Sequence, residues 1–184
     1  MQKSVAEGLC KKVAFVGTPC QISAFRQIQK IPLKKISNIV AFTIGLFCSE
    51  SFTYSGLIVK KIRDDMGIDL KDIDKMNIKG KFLIKLKNGN VAEIPLKEAR
   101  KYAEKKCSYC GDFSSELADI SVGGIGLDDR TFTVVRTELG EKVLGQALEK
   151  KALEIKSATE FPRASKLLVK LSRIKRRNLR NIVK

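Results

Sequence analysis

Cysteine is the residue in this sequence that can bind metal, exchange electrons or act as a nucleophile. Four of the five cysteines occupy positions from which they could act together. Cys20 ends the turn GTPC, Cys48 ends the run GLFC, and Cys107 and Cys110 form a Cys-x-x-Cys pair. The chain contains no histidine, which excludes Ser-His and Cys-His catalysis and any zinc site that uses imidazole. Thiolates and carboxylates are then the good metal ligands that remain.

Hydrophobic periodicity predicts the elements that position these cysteines. VAFV (13–16) and IVAFTIGLF (39–47) are typical of buried strands, and QISAFRQIQK and SFTYSGLIVKKIRDDMG follow them with helical spacing. The order strand, helix, strand, helix favours neighbouring parallel strands. Cys20 and Cys48 each follow a strand, so we expect both thiols at the carboxyl edge of one sheet, where open α/β sheets place ligands. A helix N-terminus also favours the thiolate form.

The pattern changes after residue 67. KFLIKLKNGNVAEIPL alternates on both sides of Asn88-Gly89, which predicts a hairpin, and a charged helix, KEARKYAEKK, leads to Cys107. Further on, LADI and TFTVVRT resemble strands, ELGEKVLGQALEKK is helical, and ALEIKSAT is a candidate last strand. The predicted fold class is α/β to α+β: a short parallel βαβα unit, then a hairpin and mixed strands and helices. We expect one domain over residues 1–160 and a basic amphipathic C-terminal helix over 161–184.

The net charge of +16 is concentrated in this last segment, where residues 163–184 carry nine lysines and arginines and no acidic residue. Leu167, Leu168, Leu171 and Ile174 stand among them at helical spacing. Such a helix suits an acidic partner protein, a membrane surface or RNA, or it is simply solvated. This uneven distribution argues against nucleic acid as the partner. No apolar run approaches the roughly 20 residues that a spanning helix needs, and no signal-peptide layout opens the chain, so we expect a cytoplasmic protein.

Four thiolates without histidine suit either an all-cysteine zinc site or a 4Fe-4S cluster. Zinc ribbons usually have two close pairs, whereas this sequence has one pair and two separate cysteines, which argues weakly against zinc. A redox dithiol and cysteines that only fill a core are the other interpretations. Cys10 precedes the first strand and has no comparable position, so we assign it no role.

Two further groups of residues have weaker signals. The glycines of SVGGIG (121–126) would let a backbone approach a phosphate or a flat ring, but a tight turn needs the same residues. Asp112, Glu116 and Asp119 could form a set for acid–base work, although capping and turn roles are favoured. We assign no catalytic side chain.

Four segments together resemble the beta-subunit family of coenzyme F420-reducing hydrogenase and F420-dependent dehydrogenases: VAFVGTPCQISAFR, IGLFCSE, CSYCGDFSSELADISVGGIG and TVVRTELGEKVL. They have the order and spacing of that family's C-terminal domain, from about residue 12 to about residue 150. The resemblance implies an oxidoreductase in which FAD passes electrons between a 4Fe-4S cluster and coenzyme F420 or a related acceptor. It also implies that Cys20, Cys48, Cys107 and Cys110 ligate the cluster.

The resemblance places the flavin as well, beside the loop of Thr18 and beside Ser121, Gly123, Gly124 and Gly126. Members of the family usually carry an additional N-terminal domain before the GTPC motif. We therefore expect a partner subunit of a hydrogenase or dehydrogenase complex, or a chain that supplies the missing domain. The alternative is a non-catalytic zinc domain, held by the same four thiolates, that binds RNA or a partner protein through its basic tail.

Overall fold

The computed structural model describes residues 11–32, 38–127 and 129–182. Contacts divide the chain into two compact units, the first Met1–Ser49 with Cys110–Lys184 and the second Glu50–Tyr109. The sequence instead predicts a functional domain over residues 1–160 that is followed by a separate C-terminal helix. This domain division stays a prediction. The mixed α/β to α+β fold class is confirmed, since the first unit has a mainly parallel sheet and the second an antiparallel one.

The first unit is built on a four-stranded sheet. Its strands, in spatial order, are β1 (Val13–Gly17), β2 (Val40–Leu46), β6 (Ile120–Gly123) and β7 (Phe132–Val135). β2 pairs in parallel with β1 and with β6, and β7 is antiparallel to β6. Gly17 lies opposite Gly45, and Gly45 opposite Ser121. The carboxyl ends of three strands therefore meet at one edge, as predicted for the first two.

In the described part of this unit, three α-helices accompany the sheet: α1 (Pro19–Lys30), α3 (Glu138–Glu149) and α4 (Pro162–Ile182). α1 begins with proline, whose missing N–H costs nothing there, and the Thr18 N–H donates to Gln21 Oε1 at 2.8 Å. Ile22 and Phe25 are buried on its inner face, as their spacing predicts. The strand predicted over ALEIKSAT is wrong: its first residues form no regular element, and the described chain then makes a 3₁₀ turn, Ala158–Glu160.

The second unit combines a helix with a three-stranded sheet. Its strands are β3 (Ile73–Ile78), β4 (Lys81–Leu86) and β5 (Val91–Pro95), all antiparallel, and Gly89 has a positive φ in the predicted hairpin turn. The predicted helix is present as a π-helix, Tyr54–Asp65, whose Leu57 and Ile62 pack against the sheet. The predicted charged helix is broken into α2 (Leu96–Ala99) and two 3₁₀ turns, Arg100–Tyr102 and Lys105–Tyr109.

Gly45 in β2 is a position where the packing admits only glycine. A Cβ there would lie 2.2 Å from Ser115 Oγ and 2.3 Å from Ser115 Cβ, and Ser115 is fully buried. We expect Gly45→Ala to lower the free energy of unfolding by about 1–3 kcal/mol, because Ser115 has no room to move away. Urea unfolding of the two proteins measures the difference.

Gly145→Ala is the matched control, because a Cβ at Gly145 in α3 would meet nothing within 4 Å. Alanine favours a helix interior by up to about 1 kcal/mol over glycine, so this variant should be at least as stable as the wild type. Equal unfolding free energies for the two variants would contradict the packing argument.

Candidate functional site at the carboxyl edge of the sheet

Two cysteines stand at the carboxyl edge, as the parallel strand order predicts. Cys20 is the second residue of α1 and is exposed, with its Sγ 3.2 Å from Thr18 Oγ. Cys48 is half-buried, two residues beyond β2. Its N–H donates to the Phe113 carbonyl at 2.9 Å, and its carbonyl accepts from Lys175 Nζ at 2.7 Å. Both backbone polar groups of Cys48 are therefore held in place.

Cys110 begins the segment 110–119 that returns the chain to the sheet. Its half-buried thiol lies 3.4 Å from the Asp112 carbonyl. Because Phe113 of this segment accepts the Cys48 N–H, the loop that carries Cys110 is tied to the loop that carries Cys48. Three of the four predicted ligands thus belong to the first unit.

Cys107 belongs to the second unit, in the 3₁₀ turn Lys105–Tyr109, where its Sγ accepts from the Ser51 N–H at 3.3 Å. None of these four cysteines is in a disulfide, and Cys10 lies outside the described residues. In the described part of the chain, no three cysteine, aspartate or glutamate side chains are gathered so as to hold a metal ion. The ligand set stays a prediction.

The glycine cluster is partly strand and partly open turn. β6 begins at Ile120 and includes Ser121 and Gly123, so the strand predicted over LADI lies later in the chain. The Ser121 hydroxyl is buried, donating to the Ser115 carbonyl and accepting from Arg136 Nε, both at 2.9 Å.

The residues after β6 leave the backbone open. A Cβ at Gly124 would meet nothing within 4 Å, and Gly126 is exposed with φ +65°. A Cβ at Gly123 would instead lie 2.3 Å from the Phe47 ring. Open glycine backbone at a sheet edge is what the close approach of a phosphate or a flat ring requires. Contacts of Thr18 or these residues with a flavin stay a prediction.

Asp119 has a structural role, but the capping or turn role favoured from the sequence is wrong for it, because its carboxylate is buried and bonds residues distant in the chain. Its carboxylate accepts from the Thr43 N–H and hydroxyl at 2.8 Å each and from Thr137 Oγ at 2.9 Å, and it pairs with Arg26 Nη2 at 3.1 Å. Burial on its own raises the pKa of Asp119. The bonds from Thr43 and Thr137 and the Arg26 charge outweigh burial and leave the pKa below its ordinary value.

Asp112 and Glu116 also make local and tertiary contacts. Asp112 Oδ2 accepts the Glu116 N–H at 2.8 Å and so stabilises the turn between them. The Glu116 carboxylate pairs with Arg176 of α4. The Asp112 contact agrees with the turn role favoured from the sequence, whereas the ion pair of Glu116 with a distant arginine was not predicted.

The predicted C-terminal helix is confirmed, and α4 lies against the loops of the carboxyl edge. Leu167, Leu168 and Leu171 pack with Phe113 and Ile125. Sequence reasoning missed the second contact of this helix, from Lys175 to Cys48. A signal was present: Lys175 stands four residues after Leu171 and seven after Leu168, which places it on the apolar face.

The first unit is thus a mixed α/β fold whose sheet edge carries thiols and open glycines. Residues 10–160 match the family described as the C terminus of the coenzyme F420 hydrogenase/dehydrogenase beta subunit. The chain belongs to that family, as the sequence motifs indicate.

Its relatives include longer proteins from methanogens. The chain is 37% identical over 187 residues to coenzyme F420 hydrogenase subunit beta of Methanococcus voltae, covering 100% of this chain and 66% of that subunit. For the Methanosarcina barkeri subunit the identity is 39% over 168 residues, with coverage of 89% and 57%. A chain in the F420-reducing [NiFe] hydrogenase complex of M. barkeri superimposes with a TM-score of 0.89 at 34% identity, covering 98% and 63%. The chain therefore spans less than two thirds of the length of these relatives.

Among the described residues, no helix has the length and apolarity to cross a membrane.

Asp119→Asn should lower the free energy of unfolding at about pH 7 by about 1.5–3 kcal/mol, because hydrogen bonds to a charged group are lost. The folded-state pKa of Asp119 is lowered, so its contribution is present above the ordinary value of about 3.9 and is lost as the pH falls through the lowered pKa. The difference between variant and wild type should therefore shrink towards about pH 3. Urea unfolding at a series of pH values measures it.

Asp129→Asn is the control, because the Asp129 side chain is 80% exposed. It should leave stability nearly unchanged at every pH. A stability loss for Asp119→Asn that stays constant down to the acid limit would show that the Asp119 charge is not the cause.

Proposed function

We propose that this chain is the cluster-bearing and flavin-adjoining part of an F420-linked oxidoreductase. In this proposal Cys20, Cys48, Cys107 and Cys110 hold a 4Fe-4S cluster and FAD binds beside the glycine turn. The observation that carries the proposal is the parallel pairing of β1 with β2. This pairing brings Cys20 and Cys48 to one edge, next to the segment that begins at Cys110. Membership of the beta-subunit family and the names of the relatives support the link to F420.

The chemistry of the donor set fits an iron–sulfur cluster. The four thiols are not in disulfides, and the four thiolates of such a cluster bind separate iron atoms, so they surround a volume rather than one point. Cys20 is the second residue of α1, at the positive end of the helix dipole, which suits a negatively charged cluster. The Thr18 hydroxyl lies 3.2 Å from this sulfur and donates its proton to Gln21 Oε1 at 3.1 Å. If it turned this proton to the sulfur of a bound cluster, the hydrogen bond would lower the electron density on the sulfur. The assignment of Cys107 rests on the Cys-x-x-Cys pair and on the resemblance to the family.

The turn after β6 supplies the backbone for a flavin. When bound, FAD would exchange a hydride as two electrons and pass them on singly through the cluster. A Cβ at Gly124 would meet nothing within 4 Å and Gly126 is exposed, so the turn leaves room for a ring or phosphate to approach. Phe47 packs on Gly123 and keeps the turn in place. No side chain of this set needs to act as a general acid or base, which agrees with a chain that has no histidine.

The proposed partner is a subunit of a hydrogenase or dehydrogenase complex, or a chain that supplies the rest of the beta subunit. The relatives are longer than the aligned region, and the similar solved chain is part of a hydrogenase complex. Full activity with F420 would then require that partner.

Anaerobic purification of the full chain, followed by visible absorption and iron and sulfide analysis, tests the proposal. We expect a brown protein with about four irons per chain. Cys48→Ser should lower the iron content to near zero, because one thiolate ligand is removed. Cys10→Ser is the matched control and should keep the wild-type iron content.

Two outcomes would overturn the proposal. A colourless protein with one zinc per chain would identify the non-catalytic zinc domain instead, with RNA or a partner protein as its ligand. Unchanged iron in Cys48→Ser would remove Cys48 from the ligand set.

A further inference from the structure

α4 carries the largest concentration of positive charge in the chain, and Lys175 brings one of those charges to a proposed cluster ligand. We propose that Lys175 is a positioning residue of the redox centre. Its ammonium holds the Cys48 loop in place and raises the reduction potential of the cluster bound there. This inference rests on the proposed function, because it requires a cluster at Cys48.

The contact between Lys175 and Cys48 is direct. Lys175 Nζ donates to the Cys48 carbonyl oxygen at 2.7 Å, and the lysine is half-buried. This carbonyl lies beyond the end of β2, outside the strand pairing that would otherwise satisfy it. The carbonyl and the thiol belong to one residue, so the ammonium contacts the residue that bears the proposed ligand.

The position of this charge is fixed by contacts before and after it on α4. Leu168 and Leu171 pack with Phe113 in the turns before Lys175. In the following turn, Leu179 Cδ2 lies 2.7 Å from where a Cβ on Gly111 would be. Arg176 pairs with Glu116. The ammonium is therefore held at Cys48 by the packing of the whole helix rather than by a single flexible side chain.

The other cations of α4 differ from Lys175 in burial. Lys166, Lys170, Arg173 and Arg177 are exposed and line an open groove along the helix with Val169 and Ile174. Charges in solvent are strongly screened. A half-buried charge is screened less, so among the α4 cations whose burial the structure describes, Lys175 is the one whose field should reach the cluster.

The sign of the effect follows from electrostatics. Reduction adds an electron and makes the cluster more negative. A nearby positive charge stabilises the reduced state and so raises the midpoint potential. Lys175→Met removes the charge and should shift the potential to a more negative value, whereas Lys175→Arg keeps the charge and should stay near the wild type. Lys170→Met is the matched control, since it removes one exposed charge from the same helix.

The test uses the full chain with its cluster, prepared anaerobically. Iron content is measured first for the wild type and the three variants, and circular dichroism verifies that each is folded. A dye-mediated redox titration followed by visible absorption or EPR then gives the midpoint potential. We expect full iron in all four proteins and a more negative potential in Lys175→Met alone. Loss of iron from Lys175→Met but not from Lys175→Arg would equally support the positioning role.

Three results would overturn the inference. One is a midpoint potential in Lys175→Met equal to that of the wild type at equal iron content, which would leave the proposed function standing. Another is an equal negative shift in Lys170→Met, which would show that only the total charge matters. A wild-type chain that binds no iron would overturn the proposed function and this inference together.

Discussion

One buried carboxylate holds the first unit together. Asp119 accepts hydrogen bonds from Thr43 on the central strand β2 and from Thr137 at the start of α3, and it pairs with Arg26 on α1. A buried charge is tolerated only when it is paired and hydrogen-bonded, so these partners are constrained to meet at one point. The central strand, the first helix and the start of α3 are thereby placed relative to one another.

The candidate site depends on Asp119 indirectly, through the chain segment 110–119. Asp119 ends the segment that Cys110 begins, and the same segment accepts the Cys48 N–H at Phe113. The segment is therefore held at Asp119 by an ion pair and side-chain hydrogen bonds, and at Phe113 by a backbone hydrogen bond. The loops that carry Cys48 and Cys110 are positioned by rigid elements. Such support allows a site to hold its ligands in a defined geometry.

α4 completes this edge with a combination of apolar and charged contacts. Leu167, Leu168 and Leu171 pack with Phe113 and Ile125, while Lys175 and Arg176 reach Cys48 and Glu116. The helix is therefore part of the first unit rather than a solvated tail. Its exposed cations keep the outer surface strongly basic, and Lys175 brings a half-buried charge to the proposed redox centre.

Sequence patterns predicted the elements that bury an apolar face, missed one strand that does not, and predicted two elements that the tertiary structure breaks or lacks. β1, β2, β7 and the β4–β5 hairpin follow the predicted runs. β3 has no clear pattern, because five of its six residues are exposed. The helix predicted over KEARKYAEKK is interrupted by tertiary bonds: Tyr102 accepts the Thr53 N–H, and Glu104 donates to Ser51. The strand predicted over ALEIKSAT is absent from both sheets, and Ile155 within this run is 59% exposed, so the run buries no apolar face there.

The sequence alone determined the family, the parallel order of the first two strands and the residues that bear thiols. All of these depend on local spacing, or on short motifs that keep their order along the chain. Only the tertiary structure decided that Asp119 is the anchor of the first unit and that Lys175 meets Cys48. Those contacts join residues 76 and 127 positions apart in the chain. Hydrophobic periodicity reports only on neighbours along the chain, so it cannot predict a contact between residues so far apart in sequence. Such a contact exists only after the strands and helices have packed.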